Sequence, residues 1–190
     1  MNQKISVIGA GIMGTGIAQV ASTHGFSVSL VDSSQDALER SHSSLNLVMN
    51  RMVEKGKIDI EESDAILSRV HWTSEIGSIN DSKLVIEAVI ENMEVKQKIF
   101  SDVESLVSNN CIIATNTSSL SVAKITSSCS NTSRVMGIHF FNPVPLMKLV
   151  EVIPMKKTAP NLVNDVKTIL QSWNKTIVMA KDTPGFIVNR

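Results

Sequence analysis

The chain has 190 residues, 43% of them apolar and 19% charged, and its eighteen basic side chains balance eighteen acidic ones. That balance offers no field to attract nucleic acid or an anionic membrane, and the length suits one well-buried domain. Two cysteines, Cys111 and Cys129, show neither a disulfide framework nor metal-ligand spacing, and no apolar run approaches the roughly 18 residues that span a bilayer, so a metal-free cytoplasmic protein is expected.

Lys4–Ile8 reads as a strand that stops at Gly9, so near Met1 that no room is left for a signal or transit peptide. The spacing then predicts a helix over Ile12–His24 closed by Gly25, and a second strand over Ser27–Val31 that ends at Asp32. Strand, glycine turn, helix and strand in about thirty residues make a βαβ unit. A long helix over Gln35–Lys55, halted at Gly56, and a second near Ile60–Arg69 form an antiparallel helical hairpin after the second strand. Strand candidates recur at Val70–Thr73, Leu84–Glu87, Ile112–Thr115, Val135–His139, Leu149–Ile153 and Thr176–Ala180. Helices fill the gaps at Met93–Ser108 and Asn161–Trp173, and residues 181–190 read as an exit loop. This alternation predicts an α/β, Rossmann-type, mostly parallel sheet flanked by helices, ending in antiparallel strands.

The first turn is Gly9-Ala10-Gly11-Ile12-Met13-Gly14. A G-x-G-x-x-G spacing alone is weak, but here a strand precedes it, a helix follows it and Asp32 ends the next strand. Gly9 permits the turn, Gly11 lets backbone approach a pyrophosphate, and Gly14 lets helix and strand pack closely, with Ile12 and Met13 opening the helix. The helix N-terminus offers free N–H groups to phosphates. The Asp32 carboxylate suits ribose hydroxyls and repels a 2′-phosphate, which favours NAD over NADP; the glycines alone leave FAD open.

Three polar runs lie where strands end: Glu87 to Asn92, Asn116 to Ser119, and His139 to Pro143. Ligands of open α/β sheets sit outside the carboxyl ends of the strands, so these runs share one candidate site. His139 is the natural proton carrier, because imidazole titrates near neutrality. Glu151, twelve residues on after a Pro143-x-Pro145 turn, returns on the next strand to orient that ring. Ser118 lacks a G-x-S-x-G elbow and reads as a hydrogen-bonding residue, not a nucleophile. His24 reads as ending a helix, and His42 and His71 as solvated.

The runs Asn116-Thr-Ser-Ser-Leu120, His139-Phe-Phe-Asn-Pro-Val-Pro145, Met147-Lys-Leu-Val-Glu-Val152 and Asp182-Thr-Pro-Gly-Phe-Ile-Val-Asn-Arg190 closely resemble the L-3-hydroxyacyl-CoA dehydrogenase family, with short-chain bacterial 3-hydroxybutyryl-CoA dehydrogenases nearest. The resemblance implies an NAD-dependent oxidoreductase that interconverts (S)-3-hydroxyacyl-CoA and 3-oxoacyl-CoA, with His139 as acid and base and Glu151 as its partner. It implies that Ser118 and Asn189 bind substrate near its 3-oxygen, and that Glu91, Lys96, Asn116 and Asn142 surround the nicotinamide half of NAD. Family members contact coenzyme A through the helical hairpin, which here carries Arg51 and Lys55 four residues apart. They continue into a helical domain that dimerises and closes the cleft. Residues 1–190 are therefore expected to be the NAD-binding domain without that partner, binding NAD but turning over weakly. A non-catalytic dinucleotide-binding or structural protein is the alternative, against which retention of both His139 and Glu151 argues. A dehydrogenase of hydroxy acids free of coenzyme A is disfavoured by the long hairpin and the basic side chains it carries.

Overall fold

A computed structural model describes residues 3–188. Eight strands form one sheet: β1 (Lys4–Ile8), β2 (Ser27–Val31), β3 (Val70–Thr73), β4 (Leu84–Glu87), β5 (Ile112–Thr115), β6 (Val135–Phe140), β7 (Leu149–Pro154) and β8 (Thr176–Met179), in the order β3-β2-β1-β4-β5-β6-β7-β8. The first six run parallel, β7 is antiparallel to β6, and β8 is parallel to β7. The strand order doubles back after β3, so β1 and β4 lie side by side at the centre, where such sheets open their ligand crevice.

The central strands are short β-branched runs because helices cover both faces. Ile5, Val7, Val85, Ile86, Ile112 and Ile113 are sealed from solvent, each worth about 1.5–3 kcal/mol of burial. Helix α1 (Ile12–Thr23) turns Gly14, Gly16, Ala18 and Ala21 inward, and these small residues bring its axis close to the sheet. Gly25, at φ 86°, closes it in the left-handed conformation after His24.

The hairpin after β2 comprises α2 (Gln35–Glu54) and α3 (Ile60–Ser68). Each begins on a side-chain cap: the Ser34 hydroxyl accepts from Ala37 N–H, and the Asp59 carboxylate accepts from Glu62 N–H. Ser41, buried on α2, receives hydrogen bonds from the Thr15 hydroxyl at 2.9 Å and the Trp72 indole at 3.1 Å, which fixes α2 against α1 and β3. The remaining helices are α4 (Met93–Leu106), α5 (Val122–Ile125) and α6 (Pro160–Ser172).

The C-terminal ends of the helices fall one or two residues inside the sequence reading, because the terminal residues serve as caps, and α6 begins one residue before it, at Pro160. Sequence periodicity missed α5 and the 3₁₀ turns at Ile76–Ile79, Thr126–Ser128 and Thr132–Arg134. Each is about one turn long, too short to display an apolar stripe. His42 is exposed as expected, although its ring also stands edge-on to Trp72 at 4.6 Å.

Candidate active site

The glycine turn joins β1 to α1. Gly9 has φ 108°, and a Cβ there would meet the Ala88 carbonyl oxygen at 2.6 Å. A Cβ on Gly14 would overlap the Gly9 carbonyl oxygen, whereas one on Gly11 would meet nothing within 4 Å. Gly9 and Gly14 are therefore demanded by the protein's own packing, and Gly11 faces open space where a ligand can reach the backbone. Gly11 is the N-cap of α1 and supplies no side-chain acceptor, so the first-turn amides, including those of Ile12 and Met13, are uncapped. These features fit a pyrophosphate.

Asp32 is half-buried beside this turn. Its Oδ2 accepts from Ala10 N–H at 2.8 Å and its Oδ1 from Ser34 N–H at 2.9 Å. The carboxylate thus ties the glycine turn to the start of α2, and each oxygen keeps a lone pair for a ribose hydroxyl.

A second cluster closes the rim beyond β4 and β5. Lys96, 1% exposed on α4, donates to Glu87 Oε1 at 2.6 Å and lies 3.3 Å from Glu91 Oε2. Glu87 also accepts from the Thr115 hydroxyl and Val89 N–H. Glu91 Oε1 accepts from the Thr117 hydroxyl at 2.5 Å and from the amides of Ser118 and Ser119, both at 3.1 Å. Burial opposes ionisation of Glu91, but the Thr117 hydroxyl, the Lys96 ammonium and Ser119 outweigh it and bring its carboxyl down to about 2. Lys96 is thus buried beneath Glu91, and Ser118 is held by its own backbone amide. Asn116 Oδ1 accepts from Phe140 N–H at 2.9 Å, which stitches the end of β5 to β6 next to His139.

His139 and Glu151 face each other across the β6–β7 ladder as direct register partners. Because β7 runs backwards, its beginning lies at the same rim as the end of β6, and the two side chains meet. His139 Nδ1–H donates to Glu151 Oε2 at 2.7 Å. A carboxylate only accepts, so this bond assigns the proton to Nδ1 and leaves Nε2 as the free ring nitrogen. Glu151 is 0% exposed, and its Oε1 accepts from the amides of Ile187 at 2.9 Å and Val188 at 3.1 Å. The rings of Phe141 and Phe186 stand 4.6 and 5.6 Å from the imidazole. Asn189 lies outside the described residues.

A groove of about 810 Å³ runs along α1 from Gly11 to His24, between α2 and the loop Asn142–Leu146. Arg40, Ser44, Val48 and Met52 line its α2 wall, and Lys57 closes one end. At 100° per residue, Arg51, between Val48 and Met52 in sequence, and Lys55, the C-cap of α2, fall on that same side of the helix, and both are exposed. Asn142 is exposed on the opposite wall. Lys175, 8% exposed, holds that wall by donating to the carbonyls of Val144 at 2.6 Å and Met147 at 2.8 Å.

Sequence reasoning missed Thr117, the Glu87–Lys96 pair, Lys175 and the strap of amides on Glu151. Thr117 and the strap lay inside quoted motifs, but nothing local marks a threonine or a backbone N–H as a partner of a distant carboxylate.

The sequence profile of a family described as 3-hydroxyacyl-CoA dehydrogenase, NAD binding domain, matches residues 4–183. The 3-hydroxyadipyl-CoA dehydrogenase of Escherichia coli K12 is 41% identical over 188 residues, which are 99% of this chain and 40% of that protein. The 3-hydroxybutyryl-CoA dehydrogenase of Clostridioides difficile is 40% identical over 98% of this chain and 66% of its own length. The crystal structure of (S)-3-hydroxybutyryl-CoA dehydrogenase from Ralstonia eutropha superimposes with a TM-score of 0.96 at 34% identity, over 100% of this chain and 67% of that one. The chain thus spans 40% and 66% of the two relatives' lengths.

Proposed function

This chain belongs to the 3-hydroxyacyl-CoA dehydrogenase family as its NAD-binding domain, and from that premise we propose that its site interconverts (S)-3-hydroxyacyl-CoA and 3-oxoacyl-CoA. NAD, when bound, supplies the acceptor for the hydride that leaves C3. His139 Nε2 takes the proton of the 3-hydroxyl as that hydride departs, and returns it in the reductive direction. Glu151 keeps the ring in the tautomer that leaves Nε2 free and offsets the charge the ring acquires. Asn116 and Glu91 hold the loop carrying Ser118, whose hydroxyl is assigned to the substrate's 3-oxygen together with Asn189. Gly9 to Gly14 and Asp32 bind the pyrophosphate and adenosine ribose. Glu91 and Asn142 border the nicotinamide half, with Lys96 fixing Glu91 from beneath and Asn116 fixing the end of β6 beside them.

The groove along α1 is assigned to the coenzyme A arm. Its largely apolar walls suit an extended pantetheine, and Arg51 and Lys55 on the same face of α2 suit the phosphates. One observation carries the proposal: a buried acid–base pair, its carboxylate held by three hydrogen bonds and its Nε2 left free, opens on the same sheet rim as an uncapped dinucleotide turn.

Catalysis also needs a cleft shut to water. Leu146, Met147, Met179, Ile187 and Val188 are exposed, and we assign this apolar border to the helical, dimerising domain of the longer relatives. The 190-residue chain is accordingly expected to bind NADH and to turn over weakly alone. The two buried thiols, with Cys111 pushed up to about 12 and Cys129 to about 11 by desolvation, suit a reducing compartment such as the cytoplasm. Among the described residues no helix is long and apolar enough to cross a membrane.

The test pairs NADH fluorescence titration with acetoacetyl-CoA reduction followed by NADH absorbance, with the helical domain of a longer relative supplied where turnover is undetectable. His139→Gln should leave NADH affinity intact and cut turnover by roughly a thousandfold. Undiminished turnover in that variant, or equal turnover of free acetoacetate, would refute the assignment.

A further inference from the structure

The oxygen of Glu151 that does not touch His139 is held by two amides of the strap 182–188. That strap leaves β8 through Ala180, whose N–H donates to Val152 O at 2.9 Å, and it buries the Phe186 ring beside the imidazole. Its other anchor is Asp182. Oδ1 of Asp182 accepts from Val122 N–H at 2.9 Å, and Oδ2 accepts from the Ser121 hydroxyl and Ala123 N–H, both at 2.9 Å. Ser121 lies three residues after Ser118 on the loop that Asn116 and Glu91 hold from the other side. A single half-buried carboxylate therefore joins the substrate loop to the strap that clasps the general-base pair.

We propose that Asp182 is a positioning residue of the acid–base pair: it holds the strap so that the Ile187 and Val188 amides stay on Glu151 and Glu151 stays on His139 Nδ1. The physical ground is that a carboxylate wholly removed from water depends on its few hydrogen bonds, and two of the three that Glu151 makes come from the strap. Loosening the strap frees Glu151 to turn toward other donors or to admit water, and the imidazole loses its fixed orientation. The inference rests on the reading of His139 and Glu151 as the proton relay.

The test is Asp182→Asn in the whole 190-residue chain, read by nuclear magnetic resonance and not by turnover. Amide hydrogen exchange at Ile187 and Val188 should quicken by about tenfold or more. The low-field Nδ1 proton of His139 should shift upfield or broaden, toward its behaviour in Glu151→Gln. Unchanged amides overturn the proposal, and so do quickened amides with an unmoved imidazole proton, which would make Asp182 a cap of α5 and nothing more. Should Asp182→Asn fail to fold, Ser121→Ala removes one of the three contacts and should move both signals the same way by less; no movement there also overturns it. Failure here leaves the dehydrogenase assignment to the His139→Gln assay, and failure of that assay leaves these signals unaffected.

Discussion

Three residues of the site carry roles that single substitutions expose. The Gly14 Cβ position is already filled by the Gly9 carbonyl oxygen, so Gly14→Ala must push α1 off β1. A loss of about 3 kcal/mol in urea unfolding is expected, with NADH binding abolished. Gly11→Ala, with open space around its Cβ, should leave stability within about 1 kcal/mol and weaken NADH alone, since the new methyl stands where backbone meets ligand. Glu91 supplies a pH dependence. Its folded-state carboxyl sits near 2 against an ordinary 4.5, so between those values the unfolded chain binds the extra proton. The Glu91 contribution is therefore complete above about 4.5 and is lost as the pH falls toward 2. Urea midpoints followed downward from neutral pH should drop through that window, and Glu91→Gln should lower the neutral midpoint and flatten the drop.

Among the elements, α2 separates two kinds of binding. Arg51→Ala combined with Lys55→Ala should weaken coenzyme A thioesters roughly tenfold at low salt, less at high salt, and leave NADH titrations unchanged. Equal weakening of both ligands would remove α2 from the substrate assignment. The same helix illustrates what was legible in the chain beforehand. Its length and its stop at Gly56 are local signals, and so are the strands and the glycine turn. The pairing of His139 with Glu151 was legible too, because a Pro-x-Pro turn between two apolar runs reads as a reversal. Lys96 was not. Seen in sequence it is one lysine on an amphipathic helix, and only the fold reveals that the face it occupies is buried against Glu87. Nor was the tie from Asn116 to Phe140 visible, since it links backbone and side chain across 24 positions. Contacts between residues distant in sequence, made through groups every residue owns, leave no mark in composition or period.

For the molecule as a whole, a ligand that binds only the folded state stabilises it by mass action. NADH at a hundred times its dissociation constant should add about 2.7 kcal/mol to unfolding and raise the melting temperature, while NADPH at equal concentration should add far less because of Asp32. Equal shifts from the two nucleotides would contradict that preference. The reversed strand β7 has a wider meaning. Imidazole and carboxylate are rungs of one hairpin ladder, so main-chain pairing sets the spacing of their backbones, and the strap has only to hold the side chains in place. The turn between them lines the groove at Pro143, Pro145 and Leu146, while Val144 anchors it in the core. Substitutions at the exposed Pro145 and Leu146 can reshape what the groove accepts without moving the ladder beneath, which lets substrate choice diversify over a fixed reaction.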